Sequence, residues 1–294
     1  MTRPRIGLAL GSGSARGWAH IGVLRVLEEA GMAPDVVCGT SIGAFVGAAY
    51  ASQKLDALEA WVSGLTRRDV LRFFDLGSTG GLIKGERLLH FIAERFLVED
   101  FAQLDRPFAC VATDLSSGRE IWLKEGALGE AVRASIALPG LLVPHNVAGR
   151  FLVDGGLVNP VPVSLCRAQE ADIVIAVDLG MDTVRLRLRT AAAETGGWRQ
   201  RVGRWLGRGK EHHPETPRPA ITDVLTNALA IMQGRIARSR LAGEPADVMI
   251  APRLGQMGLL DYHRGVGAIA TGRKAAEHML PMLHSLLESS SHAD

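Results

Sequence analysis

The sequence predicts one three-layer α/β/α domain with a mostly parallel central sheet. Short apolar runs alternate with amphipathic stretches of helical period along the chain, which is the pattern of an α/β fold. No internal repeat is present, and 294 residues with 47% hydrophobic content are enough for one large core. We therefore expect a single domain over residues 5–287, a basic insertion at about 185–219 and a flexible tail at 288–294.

The composition argues against several classes of protein. A net charge of +2 is too small for a dedicated nucleic-acid binder. Cys38, Cys110 and Cys166 have no paired spacing, so we expect free thiols in a reducing compartment, with no disulfide framework and no metal site. No apolar run approaches about 18 residues, and the run after Arg5 is too short for a signal peptide. A cytoplasmic location is therefore expected.

In the first half of the chain, apolar runs indicate buried strands and helical periodicity indicates the segments between them. Strands are predicted at 6–10, 35–38 and 108–113, with 119–123 as a hairpin partner after the polar turn at 116–118. Helices are predicted from the first glycine-rich loop to Gly31 and at 44–50, 55–63, 67–74, 85–96 and 127–135. Residues 136–144 form an apolar loop broken by prolines, which either packs in the core or lines an acyl-binding groove.

The second half continues the alternation and contains one basic segment. Strands are predicted at 151–153, 172–179 and 248–251, and helices at 160–168, 221–241 and 263–287. Residues 185–210 contain eight basic residues and one acidic residue, with two tryptophans on one helical face. Such a segment is typical of a helix at an anionic lipid surface, so peripheral contact with the inner membrane surface is one interpretation. A solvated loop or a helix packed on the domain is the other.

The first predicted strand opens into a glycine-rich loop at 11–17. Such a loop directs backbone N–H groups towards a negative charge, which is either a phosphate or a developing oxyanion. The spacing G-x-G-x-x-x-G matches neither the dinucleotide fingerprint nor the phosphate loop of nucleotide hydrolases. Nucleotide binding is therefore disfavoured, and we expect no cofactor. Arg16 is either an exposed helix-start residue or a residue that shapes the loop.

Residues 39–43 read Gly-Thr-Ser-Ile-Gly between a predicted strand and a predicted helix. This is the context of a nucleophile elbow, in which Ser41 sits on a strained turn. Gly39 and Gly43 are needed there because a Cβ atom would clash with the neighbouring strand or helix. A small-residue turn without chemistry is the alternative.

Asp154, Gly155 and Gly156 follow another short strand and present a second exposed side chain on a special turn. An aspartate that only closes a tight turn is the alternative. The loops at 11–17, 39–43 and 154–156 all follow predicted strands, and the carboxyl ends of parallel strands share one crevice. The crevice would contain a nucleophile, an anion-stabilising loop and a carboxylate, which suffice for acyl transfer.

At these residues the chain resembles the patatin-like phospholipases, in particular their short bacterial members. The resemblance lies in the loop 10–17 followed by Ala19-His20-Ile21-Gly22-Val23-Leu24, in the Gly-x-Ser-x-Gly of 39–43, in the Asp-Gly-Gly of 154–156 and in the stretch 134–144. It covers about residues 5–180. One departure is present: Ser12 and Ser14 stand where most members have glycines, at positions whose φ values serine tolerates poorly.

The resemblance implies a patatin-like fold and a serine hydrolase that cleaves acyl esters of lipids, such as phospholipids or lysophospholipids. Ser41 and Asp154 would form a catalytic dyad. The N–H groups of Gly13, Ser14, Ala15 and Arg16 would form the oxyanion hole, and the motif glycines would be Gly11, Gly17, Gly39, Gly43, Gly155 and Gly156.

Two alternatives remain at the level of sequence. A Ser-Asp-His triad would need a histidine after Asp154, and His263 and His278 satisfy that order. The same fold could instead serve as a lipid-binding or regulatory scaffold with vestigial esterase activity.

Overall fold

The computed structural model describes residues 3–73, 86–180 and 221–291. The predicted basic segment at 185–219 lies outside these residues, and so does any membrane contact made through it. In the described part of the chain no helix combines the length and the apolar character that a bilayer span requires.

One sheet of eight strands forms the centre of the described structure. Its strands are β1 (Ile6–Leu10), β2 (Val36–Thr40), β3 (Phe108–Asp114), β4 (Glu120–Leu123), β5 (His145–Val147), β6 (Arg150–Asp154), β7 (Ile173–Val177) and β8 (Val248–Ile250). Hydrogen-bonded neighbours follow the path β5-β6-β3-β2-β1-β7-β8, and β4 also pairs with β3. The pairs β3–β2, β2–β1, β1–β7 and β7–β8 are parallel, whereas the pairs β3–β4, β3–β6 and β6–β5 are antiparallel.

Helices cover both faces of this sheet. They are α1 (Ala19–Glu29), α2 (Ile42–Ala51), α3 (Leu55–Gly64), α4 (Arg67–Phe73), α5 (Glu86–Phe96), α6 (Leu128–Ser135), α7 (Val163–Ala168), α8 (Ile221–Gly243) and α9 (Gly265–Ser291). Successive strand residues point to opposite faces. In β1, Leu8 joins the cluster under α1, α2 and α9, while Ala9 joins the cluster under α7. The three-layer fold with a mostly parallel sheet is therefore confirmed.

The strands β2 and β6 meet end to end beside β3. The strand β4 pairs with Cys110 to Thr113 and so occupies one side of β3, which leaves β2 and β6 on the other side. There, Thr40 of β2 lies opposite Val111, and Asp154 of β6 lies opposite the next residue, Ala112. Because the two strands run towards each other, the residue after β2 and the last residue of β6 are neighbours.

Two details differ from the sequence-based expectations. The site does not arise only from parallel strands, since β6 is antiparallel to β3. In addition, α9 continues to Ser291, so residues 288–291 of the predicted tail are helical. This last helix packs closely on α1, where a Cβ atom on Gly22 would lie 2.0 Å from the carbonyl oxygen of Ile269.

Candidate active site

Ser41 lies between β2 and α2 with φ 58° and ψ −124°, a backbone conformation that is strained for any residue with a Cβ atom. The chain can turn this sharply because its neighbours are small. A Cβ atom on Gly39 would lie 2.4 Å from the carbonyl oxygen of Gly43, and one on Gly43 would lie 2.2 Å from that of Leu10. The steric need predicted for both glycines is confirmed.

Ser135, at the end of α6, supports this turn, and no sequence motif assigned it a role. Its Oγ accepts a hydrogen bond from the Ser41 N–H at 2.9 Å and donates one to the carbonyl oxygen of Val111 at 2.7 Å. Ser135 is fully buried. It therefore ties the strained turn to β3, and the only sequence signal for it was its place in the family-like stretch 134–144.

Asp154 lies beside Ser41 and is 1% exposed. Its Oδ2 accepts a hydrogen bond from Ser41 Oγ at 2.5 Å, and its Oδ1 accepts one from the Gly156 N–H at 2.7 Å. Burial raises the pKa of Asp154 to about 6, although these two hydrogen bonds lower it in part. The carboxyl group is thus ionised near neutral pH and directed at the serine hydroxyl.

Gly155 allows Asp154 to approach this closely. A Cβ atom on Gly155 would lie 2.2 Å from the carbonyl oxygen of Val111, the same oxygen that Ser135 contacts. The backbone of Asp154 is also held, because Thr113 Oγ1 donates to its carbonyl oxygen at 2.8 Å and its own N–H donates to Ala137 at 3.0 Å. The carboxylate is therefore rigidly positioned.

The glycine-rich loop borders the same pocket, but only part of it is free to bind an oxyanion. The N–H of Ala15 donates to Leu259 at 3.0 Å, and the N–H of Arg16 donates to Gly13 at 3.3 Å. The prediction that these two amides serve as oxyanion donors is thus not supported by the geometry. The amides of Gly13 and Ser14 have no acceptor within the described residues, and both residues line the pocket.

The two serines that replace family glycines differ in conformation. Ser14 has φ 53°, the left-handed region that favours glycine, whereas Ser12 is not among the residues with positive φ. The unfavourable φ expected for a serine in this loop is therefore found at Ser14. Its Oγ shares a hydrogen bond of 2.7 Å with the Tyr262 hydroxyl.

Arg16 and His20 are structural supports of the loop. Arg16 is buried and donates from Nε to the carbonyl oxygen of Met257 at 2.9 Å. His20 donates from Nε2 to the Gly11 carbonyl oxygen at 2.8 Å, and burial lowers its pKa to about 4, so it is neutral. Of the two interpretations of Arg16, the one in which it shapes the loop is the one observed.

The pocket above Ser41 has a volume of about 1070 Å³ including its open mouth. Its polar lining comes from the glycine-rich loop, Ser41, Asp154, Gln233 and Tyr262, and the rest is apolar. The apolar residues are Trp18, Ile42, Phe45, Trp61, Leu65, Val70, Ile92, Ile136, Leu138, Leu141, Leu142, Leu229, Ala230 and Leu259. Four of these residues belong to the loop 136–144, and this loop therefore lines the pocket.

The two histidines considered for a triad lie elsewhere. His263 Nε2 accepts a hydrogen bond from Arg67 Nε at 3.2 Å, and His278 is exposed on α9. In residues 3–73, 86–180 and 221–291, no histidine bonds to Ser41 or Asp154, and no group of acidic, histidine and cysteine side chains has the arrangement of a metal site.

This arrangement defines a class: an α/β protein with a serine on a strand-to-helix elbow, paired with a buried carboxylate at an apolar pocket. The sequence comparisons specify the family. The family model described as patatin-like phospholipase matches residues 8–167, which is more than half of the chain. The chain belongs to the patatin-like phospholipase family.

Several relatives are similar over most of the chain. An uncharacterized NTE family protein of Mycobacterium tuberculosis is 34% identical over 94% of this chain and 91% of its own length. Lysophospholipase NTE1 of Pyricularia oryzae is 32% identical over 95% of this chain, which corresponds to 18% of that larger protein. Human patatin-like phospholipase domain-containing protein 6 is 36% identical over 67% of this chain and 15% of its own length.

Among solved structures, VipD from Legionella pneumophila is similar in fold. The superposition has a TM-score of 0.56, covers 95% of this chain and 67% of VipD, and has 15% sequence identity. At this identity the similarity concerns the fold alone.

Proposed function

We propose that this protein is a serine hydrolase that cleaves acyl esters of lipids, of the phospholipase A or lysophospholipase type. Membership of the patatin-like phospholipase family supports lipid-ester hydrolysis in general. The observation that carries the finer proposal is the 2.5 Å hydrogen bond between Ser41 Oγ and Asp154 Oδ2 at the base of an apolar pocket.

In the acylation step, Ser41 Oγ attacks the ester carbonyl carbon while its proton passes to Asp154 Oδ2. The developing oxyanion is bound by the N–H groups of Gly13 and Ser14. When the tetrahedral intermediate collapses, the ester C–O bond breaks and the alcohol takes the proton from Asp154. The acyl group remains on Ser41.

In the deacylation step, Asp154 takes a proton from a water molecule as the water attacks the acyl-serine carbonyl carbon. Collapse releases the fatty acid and returns the proton to Ser41. A carboxylate is a weak base for a hydroxyl group, so its raised pKa and the 2.5 Å contact both favour proton transfer.

The lining of the pocket favours the acyl part of a lipid. In the described residues that line it, the ionisable groups are Asp154 and Tyr262, and neither would attract an anionic head group. The aliphatic and aromatic side chains would instead bury an alkyl chain, at about 0.8 kcal/mol for each CH₂ group removed from water. We therefore propose that the acyl chain enters the pocket and the phosphate remains outside it.

The test uses Ser41→Ala and Asp154→Asn with a medium-chain p-nitrophenyl ester and a lysophospholipid. We expect each variant to lose at least about 10³-fold in kcat, since dyad partners act as a unit. A serine-directed phosphonate should label the wild type and not Ser41→Ala. As controls, His263→Ala and His278→Ala should keep wild-type turnover.

Two outcomes would contradict the proposal. Loss of turnover in a folded histidine variant would favour a triad. A wild-type protein that binds lipid vesicles but neither hydrolyses these esters nor reacts with the phosphonate would fit a lipid-binding scaffold.

A further inference from the structure

A segment late in the chain, residues 257–262, holds the glycine-rich loop in place. Four hydrogen bonds join this segment to the loop and to Trp18, the residue that follows the loop. They are Ser14 Oγ to the Tyr262 hydroxyl, Ala15 N–H to the Leu259 carbonyl, Arg16 Nε to the Met257 carbonyl and Trp18 Nε1 to the Tyr262 carbonyl. Their lengths are 2.7, 3.0, 2.9 and 3.1 Å. The loop conformation thus depends on residues about 240 positions away in sequence.

One of these four contacts involves a side chain at a strained backbone position. Ser14 has φ 53°, and a residue with a Cβ atom in this region costs of order 1–2 kcal/mol. Its hydroxyl is held by the hydroxyl of the half-buried Tyr262, whose ring also packs edge-on against Trp18 at 5.8 Å. Burial raises the pKa of Tyr262, so its hydroxyl remains protonated and can take part in this bond at neutral pH.

The same strained residue carries one of the two amides that remain for an oxyanion. Gly13 and Ser14 both line the pocket next to Ser41. If Ser14 relaxed to negative φ, the peptide units on either side of it would rotate and their N–H groups would turn. Of these N–H groups, the one of Ser14 lines the pocket and the one of Ala15 donates to Leu259, so the direction of the Ser14 donor depends on the conformation that Tyr262 stabilises.

We propose that Tyr262 is a positioning residue for the oxyanion hole. Its hydroxyl holds Ser14 in the left-handed conformation, and this fixes the Ser14 amide, beside that of Gly13, towards the reacting carbonyl group. A glycine at position 14 would adopt this conformation without help. The inference rests on the proposed esterase function.

The test is a double-mutant cycle with Tyr262→Phe, Ser14→Gly and the double variant, assayed on the p-nitrophenyl ester. Loss of one oxyanion donor typically lowers kcat by 10²–10³-fold, so misorientation in Tyr262→Phe should lower kcat by at least about tenfold. The KM should change less than about twofold, since the oxyanion exists only in the transition state. In the Ser14→Gly background, Tyr262→Phe should change kcat by less than about twofold.

Tyr50→Phe is the matched control, because it removes the only other tyrosine hydroxyl of the chain, which accepts a bond from Arg106 far from this loop. It should leave kcat unchanged. Equal losses from Tyr262→Phe in both backgrounds, or no loss in either, would overturn this inference while leaving the proposed function intact. Absence of hydrolysis by the wild type would overturn both.

Discussion

The buried carboxyl group of Asp154 gives a quantitative prediction about stability. Its pKa is about 6 in the folded protein against an ordinary value of 3.8, so the folded state holds a proton that the unfolded chain releases between these pH values. The contribution of Asp154 to the free energy of unfolding is therefore fully present below about pH 3.8 and is lost as the pH rises through 6. Above pH 6 the ionised carboxylate costs about 3 kcal/mol, because each tenfold change in proton affinity corresponds to about 1.4 kcal/mol.

Asp154→Asn removes this cost while keeping the shape of the side chain. At pH 5 the wild type bears about 1.6 kcal/mol of the cost and at pH 8 about 3 kcal/mol, so the stability of Asp154→Asn relative to wild type should rise by about 1.4 kcal/mol between these values. Any constant effect of the amide cancels in this difference. Urea unfolding curves of both proteins at pH 5 and pH 8 provide the measurement.

Asp114→Asn is the control for this measurement. Hydrogen bonds from Ser116 and Ser117 lower the pKa of Asp114, so this group is ionised at both pH values in the folded protein. Its stability difference from wild type should not change between pH 5 and pH 8. If the difference for Asp154→Asn were equal at the two pH values, or larger at pH 5, the assignment of a raised pKa to Asp154 would be refuted.

Three further predictions concern the same site. The kcat/KM of the wild type should fall as the pH drops through about 6, because protonated Asp154 cannot accept the serine proton. A pH profile of kcat/KM that stays flat down to pH 5 would argue against Asp154 as the base. Ser135→Ala should lower the free energy of unfolding by about 1–3 kcal/mol and reduce kcat, because the buried Ser41 N–H loses its acceptor. Thermal unfolding measures the effect on stability, and ester kinetics measure the effect on kcat. Gly155→Ala should destabilise the fold by more than about 2 kcal/mol, because its Cβ atom would clash with Val111. The control Gly267→Ala, in open space on α9, should stabilise the fold by up to about 1 kcal/mol. Unchanged stability in Gly155→Ala would contradict the close approach of Gly155 to Val111.

The sequence could predict the local parts of the site because they depend on short-range geometry. A strand, a glycine-flanked serine and a helix start leave few conformations for Ser41, and the close approach of Gly39 to the carbonyl oxygen of Gly43 lies within this turn. Gly43 and Gly155 also stand next to a recognisable turn residue, but the backbone that requires a glycine there belongs to other strands, at Leu10 and Val111. In each case a Cβ atom would meet backbone that lies within van der Waals distance of the turn.

The contacts between distant segments could not be predicted in this way. Nothing in the residues around Ala15 shows that its amide donates to the carbonyl oxygen of Leu259, so the family resemblance assigned that amide to the oxyanion hole. Ser135 was likewise not predicted as a partner of Ser41, because no local pattern around a buried serine near the end of a helix shows which N–H group donates to its hydroxyl.

The sequence by itself determined the alternation of strands and helices, the family and the identity of Ser41 and Asp154 as the residues to pair. The tertiary structure alone decided how they meet: β2 and β6 run towards each other beside β3, which places the serine and the carboxylate 2.5 Å apart. The physical reason is that side-chain period and turn chemistry are properties of neighbouring residues, whereas strand order and direction follow from packing the whole core.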